Sequence, residues 1–452
     1  MLAHRQYRPH RNGLVSSLPA VTLNRASLGG RSRAVLRARA AVCLTFFCNG
    51  LAFSNLVPRY PEIVERLAIT KAAFGQAVMA GSIGALVAGL AASALITRWT
   101  SARVASAGMA LAGLAYLGAG TAENWHVLAV CLALGGGLDA IIDVAQNAHG
   151  LRVERRWGSS IITSFHAAWS LGAVCGALMG QWMAASGVPI AWHLSGVVLI
   201  LAALSLAALR WMIPGPDSDD RSDAAVEPSA SPTAAPTAPA PGGPARLAPP
   251  ARASRLAVIA MIVVLGAMCA AAMFPEDVSA NWSPLLLVEL RPPAGMVGMG
   301  LVTMQATMIV GRLIGDRIID ALGGRRVIAA GGALVVLGMG TGIVAGTIGG
   351  ILVGMVLAGA GCAVAVPVAF AAADGIPGLA PGVGLTIVSW LARVIMMIAP
   401  PVVGMLADAH GTWVALGYGI LGGVIMIASW PMLHDSRPGR GRQAAWQCPR
   451  AA

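Results

Sequence analysis

The 452-residue sequence predicts an all-α membrane protein, with twelve transmembrane helices in two pseudo-symmetric six-helix bundles. Three observations carry that reading. Charged residues are scarce and spaced a membrane's width apart, a proline-rich segment splits the chain near its middle, and the two sides of the split are related by a constant offset. Only 11% of residues are charged and 57% are hydrophobic, where an ordinary soluble domain is about 25% charged. Aromatic residues make up 5%, so the apolar excess is Ala, Gly, Val, Leu, Ile and Met, the palette of closely packed membrane helices. A large water-soluble protein and a fully disordered one are both excluded.

A membrane helix needs roughly 17–25 mostly apolar residues, so gaps between charges locate the spans. Arg39 to Arg59 encloses 19 uncharged residues, Lys71 to Arg98 26, and Arg103 to Glu123 19. Arg156 to Arg210 encloses 53, which Ser186-Gly187-Val188-Pro189 divides into two helices. Farther on, Arg255 to Glu276 and Arg291 to Arg312 each enclose 20, and Arg326 to Asp374 encloses 47 with a break near 346–350. Asp408 to Asp435 encloses 26. Two further spans carry internal charge, 125–148 with Asp139 and Asp143, and 380–404 with Arg393. The expected spans are 40–57, 72–97, 104–121, 125–148, 159–184, 190–212, 255–275, 295–318, 327–345, 349–373, 380–404 and 412–433. Barrel strands do not fit, because they alternate over about ten residues and these runs are continuous.

The rest of the chain falls outside the spans. Residues 1–39 hold eight arginines and no acid through Ala40, and read as a disordered basic cytoplasmic extension or an over-extended start. Residues 40–213 form the first bundle and 255–433 the second. Between them, 214–254 opens with five acids, and from Ala224 to Pro250 eight of 27 residues are proline. Such a composition buries little apolar surface and reads as a solvated cytoplasmic linker. Residues 434–452 form a cytoplasmic tail.

An even count of spans puts both termini on one side. With the termini cytoplasmic, only Arg59, Arg66, Lys71, Arg291 and Arg393 of the 31 basic residues lie away from cytoplasmic ends. The net charge of +12 is therefore the positive-inside asymmetry of a multi-pass protein, expected in a bacterial plasma (inner) membrane. It is not a nucleic-acid footprint. The seven cysteines show no CxxC or metal spacing, and no glycine run is followed by Gly-Lys-Ser/Thr. No metal, no cofactor and no enzymatic nucleophile is expected.

Ionisable residues inside the spans are the candidates for function, since each costs about 2.5–3.5 kcal/mol to insert and usually faces a polar cavity. Asp139 and Asp143 are four apart on one face of the fourth helix. Two nearby carboxylates in a low dielectric do not both ionise readily, so the pair could hold a proton. Asn147 extends that face by a turn, and His166 in the fifth helix could lie opposite it. Either a proton-coupling site or a structural network between the two helices fits. Arg393 needs a partner or a wet cavity, serving an acidic substrate group or a structural ion pair. Trp169 and Trp390 fall near mid-membrane, where they stack on a substrate or pack in the core.

Several motifs add to this. Shifting the first half by 223–224 residues aligns Arg103-Val104 with Arg326-Val327, Gly180 with Gly404 and Gly187 with Gly411. The loop after span eight reads Gly311-Arg312-Leu313-Ile314-Gly315-Asp316-Arg317, then Gly323-Gly324-Arg325-Arg326. Its first-half counterpart has Ser93 where Asp316 stands. Asp143-Val144-Ala145-Gln146-Asn147-Ala148, Arg152-Val153-Glu154 and Phe165-His166-Ala167-Ala168-Trp169-Ser170-Leu171-Gly172 form a second set, joined by Glu276, Asn281-Trp282 and Pro400-Pro401-Val402-Val403-Gly404. Over residues 38–435 the chain resembles the major facilitator superfamily, and the second set resembles a bacterial subgroup near the proton-coupled fucose-type sugar transporters.

The resemblance implies a monomeric secondary active transporter working by alternating access. It would move a small polar, sugar-like solute, with protons and the lipid bilayer as partners and no nucleic acid. Asp143, Asp139 and His166 would couple protons; Asn147, Trp169, Trp390, Arg393 and Glu276 would bind substrate. Gly311, Arg312, Asp316, Arg317, Arg325 and Arg326 would form a cytoplasmic gate, or anchor topology. Proton-driven efflux of amphipathic compounds and a non-transporting receptor are the alternatives.

Overall fold

A computed structural model of the chain describes residues 32–159, 161–217, 255–376, 379 and 383–433. Among these residues there is no strand, and twelve membrane-length helical segments follow one another. They are α1 (Arg33–Arg66), α2 (Lys71–Gly89), α3 (Ser101–Gly120), α4 (Trp125–Trp157), α5 (Ile162–Ala185) and α6 (Ile190–Leu209). Then come α7 (Arg255–Glu289), α8 (Met299–Leu322), α9 (Gly324–Ala345), α10 (Ile348–Asp374), α11 (Val383–His410) and α12 (Val414–Met432). Eleven are long and apolar enough to cross a membrane. The apolar part of α8 is shorter, Met299–Gly315, because Asp316, Arg317 and Asp320 crowd its last turns.

Several boundaries differ from the sequence reading. Helix α2 ends at Gly89 instead of 97, α7 runs on to Glu289 instead of 275 and α11 to His410 instead of 404. Two more differ for identifiable reasons. Helix α1 begins at Arg33, inside the stretch expected to be a disordered extension; residues 1–31 lie outside the described set. Ser32 caps it by accepting from the Val35 amide at 3.4 Å, and the Arg39 guanidinium sits 4.3 Å over the Trp157 ring of α4. Charge counting cannot see that a basic turn has an aromatic face to rest on. Helix α4 runs past its expected end at 148 to Trp157, with Arg155 and Arg156 in its last turn and Gly158 at φ 78° closing it. Cations suit a helix C-terminus, and 33 residues make a rod roughly 50 Å long that outreaches the bilayer core.

The start of the expected linker is also anchored. Asp217 accepts the Ser101 amide at 2.8 Å at the head of α3, and the Ser101 hydroxyl lies 2.9 Å from His149 Nδ1 on α4. The Ile213 amide donates to His149 Nε2 at 3.1 Å, and Arg152 donates to Asp217 at 3.3 Å. An acid expected in solvent instead satisfies an orphan amide at a helix start. Residues 218–254 and 434–452 lie outside the described set.

The halves α1–α6 and α7–α12 meet along two seams, α2 with α11 and α5 with α8. A Cβ on Gly75 would fall 2.7 Å from the Pro400 carbonyl carbon, and one on Gly298 would fall 3.4 Å from the Ala177 carbonyl oxygen and 2.8 Å from Pro58 Cγ. A shift of 223 residues carries Gly75 onto Gly298 and Ala177 onto Pro400, so one seam is the image of the other. The turns after α5 and α11 match as well, with Gly187 at φ 70° and Gly411 at φ 93°.

These contacts lie on the face opposite Arg33 and Met432, here called the distal face. Asp408 of α11 accepts the Lys71 and Ala72 amides of α2 at 2.9 and 2.8 Å. Lys71 Nζ lies 2.8 Å from Glu289 of α7, and the Thr412 hydroxyl also donates to Glu289. The distal face is where the two bundles are joined.

Candidate functional site

Between the bundles lies a cavity of about 390 Å³, within the ~300–1,000 Å³ range of small-molecule sites. Helix α1 contributes Asn49, Phe53, Ser54 and Tyr60, α4 contributes Asp139, and α5 contributes Trp169. From the second half come Glu276, Asp277 and Asn281 of α7, Gln305 of α8 and Arg393 of α11.

Local structure explains how these side chains arrive there. Helices α1 and α5 press backbone to backbone, since a Cβ on Gly50 would meet Ala173 N at 2.9 Å and one on Gly172 would meet Phe47 Cα at 3.0 Å. That closeness brings Asn49 and Trp169 to the same cavity. Helix α7 carries Pro275 and then a π-helical turn, Val278–Trp282. Proline removes one backbone donor and the wide turn inserts an extra residue, a device frequent at functional sites. It turns Glu276, Asp277, Ala280 and Asn281 all toward the cavity.

Asp277 accepts from Asn281 Nδ2 at 2.8 Å and from Trp282 Nε1 at 3.3 Å. Trp282 is fully buried and meets Phe74 of α2 edge to face at 6.1 Å; Phe74 meets Tyr60 at 5.0 Å. This aromatic run crosses between the bundles. Asn49 stands beside Asp139, and Gln305 beside Glu276, each an amide next to a carboxyl group. Arg312 of α8 donates to Ser170 Oγ of α5 at 2.8 Å and lies 3.7 Å from Glu276 Oε1.

Ser54, Asn281 and Gln305, all lining residues, carry buried oxygens (Ser54 Oγ, Asn281 Oδ1 and Gln305 Oε1) with no hydrogen-bond partner among the described residues. Most buried polar groups in folded proteins are partnered, so these three hold hydrogen-bonding capacity that a small shift of their side chains would present to a polar guest.

Of the residues singled out in the sequence, Asp139, Trp169, Glu276 and Arg393 line the cavity. Asp143, Asn147, His166 and Trp390 are not among its lining residues. Asp143 lies one turn along α4, and its carboxylate accepts from Asn147 at 3.0 Å and Gln146 at 3.3 Å. His166 meets the Phe46 ring edge to face at 5.3 Å. Trp390 is 42% exposed on α11.

The Gly311–Arg317 run is not a loop, because α8 stays helical through Leu322 and turns only at Gly323, φ 83°. Gly311 and Gly315 let α8 approach Ala363 and Val364 of α10. Arg317 and Arg326 are exposed, Arg325 sits 4.1 Å over the Trp430 ring, and the Asp316 side chain lies outside the described set.

Asp277, Asn49, Ser54, Asn281 and Gln305 were not among the binding candidates. Gln305 had a readable signal, since it stands seven residues before Arg312 and so shares its helix face.

A family model described as Major Facilitator Superfamily matches residues 42–291. The uncharacterized transporter y4wD of Sinorhizobium fredii (strain NBRC 101917 / NGR234) is 25% identical over 371 residues, covering 81% of this chain and 90% of the relative. Membrane protein MosC of Rhizobium meliloti is 26% identical over 409 residues, 88% of this chain and 91% of the relative. Among solved structures, a D-xylose–proton symporter superposes with TM-score 0.63 at 13% identity, covering 89% of this chain and 98% of that one. FucP in its outward conformation gives TM-score 0.54 at 17% identity, with 88% and 99% covered. At such identities the likeness to the solved structures is one of fold.

Proposed function

The chain belongs to the major facilitator superfamily and is a multi-pass membrane transporter, and from that premise we propose that it moves a small polyhydroxylated solute by alternating access, coupled to protons. The observation that supports this reading is the set of polar residues lining the cavity, Asn49, Ser54, Asp139, Asn281, Gln305 and Arg393. Such a set can both donate and accept, as a guest bearing several hydroxyl groups does. Trp169 and Phe53 supply flat apolar faces beside them, suited to the C–H face of a sugar ring. Asp139 and Arg393 belong to the same cavity, so a proton on Asp139 would alter the charge that the solute meets. Asp143, one turn away, would relay that proton toward the cytoplasm.

The arginine distribution favours a bacterial inner membrane with both termini cytoplasmic. The joined distal face would then be the periplasmic one. The protein would work as a monomer, since its cavity lies within one chain. A second reading, efflux of amphipathic compounds, draws on Met273, Met396 and Met397 in the lining, because thioethers adapt to irregular apolar guests.

Purified protein in proteoliposomes with an imposed pH gradient tests both. Polyols should raise the melting temperature by mass action and accumulate with the gradient. Stabilisation by amphipathic cations alone, with extrusion instead of uptake, would overturn the first reading.

A further inference from the structure

We infer that Arg312 is a positioning residue that ties the α5–α8 seam to the charge and occupancy of Glu276 in the cavity. The inference rests on the transporter reading above and gives a specific part to an arginine whose motif would otherwise assign it to a cytoplasmic gate.

The guanidinium stands between two claimants from different bundles. Ser170 of α5 is fully buried and accepts from Arg312 Nη1 at 2.8 Å across the seam. Glu276 of α7 lies 3.7 Å from Nη2 and lines the cavity. In this arrangement Nη1 holds Ser170 while Nη2 makes a long ion pair with Glu276, so tightening the Glu276 contact pulls the fork away from Ser170. Arg312 carries five fixed donors and stays charged under all conditions a protein meets, so it leaves Ser170 more readily when another acceptor stands ready. Among the described acids, Glu276 is the one in ion-pair range.

The state of Glu276 therefore sets how readily the seam lets go. With Glu276 anionic and empty, the carboxylate competes for Arg312 and eases release from α5. When a solute hydroxyl donates to Glu276, or a proton neutralises it, that competition fades and Arg312 stays on Ser170. Gln305, which also stands beside Glu276, lies two helical turns before Arg312, so α8 presents both residues to Glu276 on one face. The other ionisable groups near Glu276 are Asp277 beside it on α7, Cys362 on α10, and Arg393, Asp139, Tyr60 and Tyr116 around the cavity. His166 lies one turn before Ser170 on α5.

The test reads the seam directly and needs no transported solute. Spin labels at Leu171→Cys and Leu313→Cys, both exposed positions, report the α5–α8 separation of reconstituted full-length protein in a background free of other cysteines. Glu276→Gln should enrich the joined population, and Ser170→Ala should deplete it. Hydrogen bonds to charged groups correspond to about 10- to 150-fold in an equilibrium constant, so shifts of that order are expected. The two substitutions should be non-additive, with Glu276→Gln losing its effect once Ser170 is alanine. Arg312→Lys, which keeps the charge but loses the fork, should abolish the response to Glu276→Gln while the protein stays folded by thermal denaturation. Additive effects, or an undiminished response in Arg312→Lys, would overturn the inference. Failure to find a transported solute would leave this readout intact and count against the proposed function instead.

Discussion

Removing one carboxylate at the distal face should open the seam between the bundles. Asp408 accepts two α2 amides, Lys71 N at 2.9 Å and Ala72 N at 2.8 Å, so α11 caps the N-terminus of a helix in the other half. A capping side chain is worth about 0.5–2 kcal/mol, and a negative charge at that end adds about 0.3–1 kcal/mol. Asp408 is exposed, which places the sum near the low middle of that range, about 1–2 kcal/mol, or a factor of roughly 5–30 in population. Helix α2 itself should survive, because Thr70 independently caps it through the Ala73 amide at 3.1 Å. The neighbouring Lys71–Glu289 pair, half open to solvent, should matter less, at about 0–1 kcal/mol.

Spin labels at Glu123→Cys and Gly349→Cys check this reasoning. Glu123 lies in a distal turn of the first half and Gly349 at the distal start of α10 in the second, where a Cβ meets nothing within 4 Å. Asp408→Ala should add a longer-distance population about 5–30 times more abundant relative to the joined one than in the parent, with Glu289→Gln giving a smaller change. An unaltered distance distribution in Asp408→Ala would refute the claim that this cap holds the face closed.

Other outcomes are expected inside the membrane. Asp139→Asn should lose proton-driven accumulation while still exchanging solute at equilibrium, read by counterflow in proteoliposomes; full accumulation would remove Asp139 from coupling. Asn281→Ala should weaken solute binding by about 1–3 kcal/mol, roughly 5- to 150-fold by calorimetry, and should lower the melting temperature of the empty protein, because buried Asp277 loses its Nδ2 donor. Gly136→Leu should prevent a monodisperse preparation, because a Cβ there would lie 3.0 Å from Gly81 Cα and 2.8 Å from its carbonyl carbon. By contrast Gly196→Ala on α6, where nothing lies within 4 Å, should be neutral or stabilise by up to about 0.5–1 kcal/mol.

The spans were legible because inserting a charge is expensive, so the spacing of charges follows the thickness of the bilayer. The same rule explains the errors at the ends. Beyond the hydrocarbon a helix stops where its caps and neighbours stop it, and Arg33–Arg39 and Arg152–Trp157 both continue in helix because Trp157 offers a surface to Arg39 and Asp217 offers one to Arg152. Neither contact is local in sequence. Asp217 looked like one of five linker acids, and only its place beside Ser101 separates it from the others.

The cavity was half legible for a related reason. A charge-gap reading finds Asp139, Glu276 and Arg393 because they interrupt gaps, but Asn49, Ser54, Asn281 and Gln305 pass as ordinary span residues. It also treats residues one turn apart as equivalent, although four residues carry Asp143 about 6 Å along the helix axis from Asp139, beyond the lining. Arg312 shows the deeper limit. Its motif places it correctly near the end of a span, yet the physics of its position comes from α5 and α7, through a hydroxyl 2.8 Å away and a carboxylate at 3.7 Å. A permanently charged side chain within a span is tolerable only if several helices share it, and a residue shared across moving bundles must change partners when they move. In this fold the arginine that cannot lose its charge marks the seam more reliably than the acids that can.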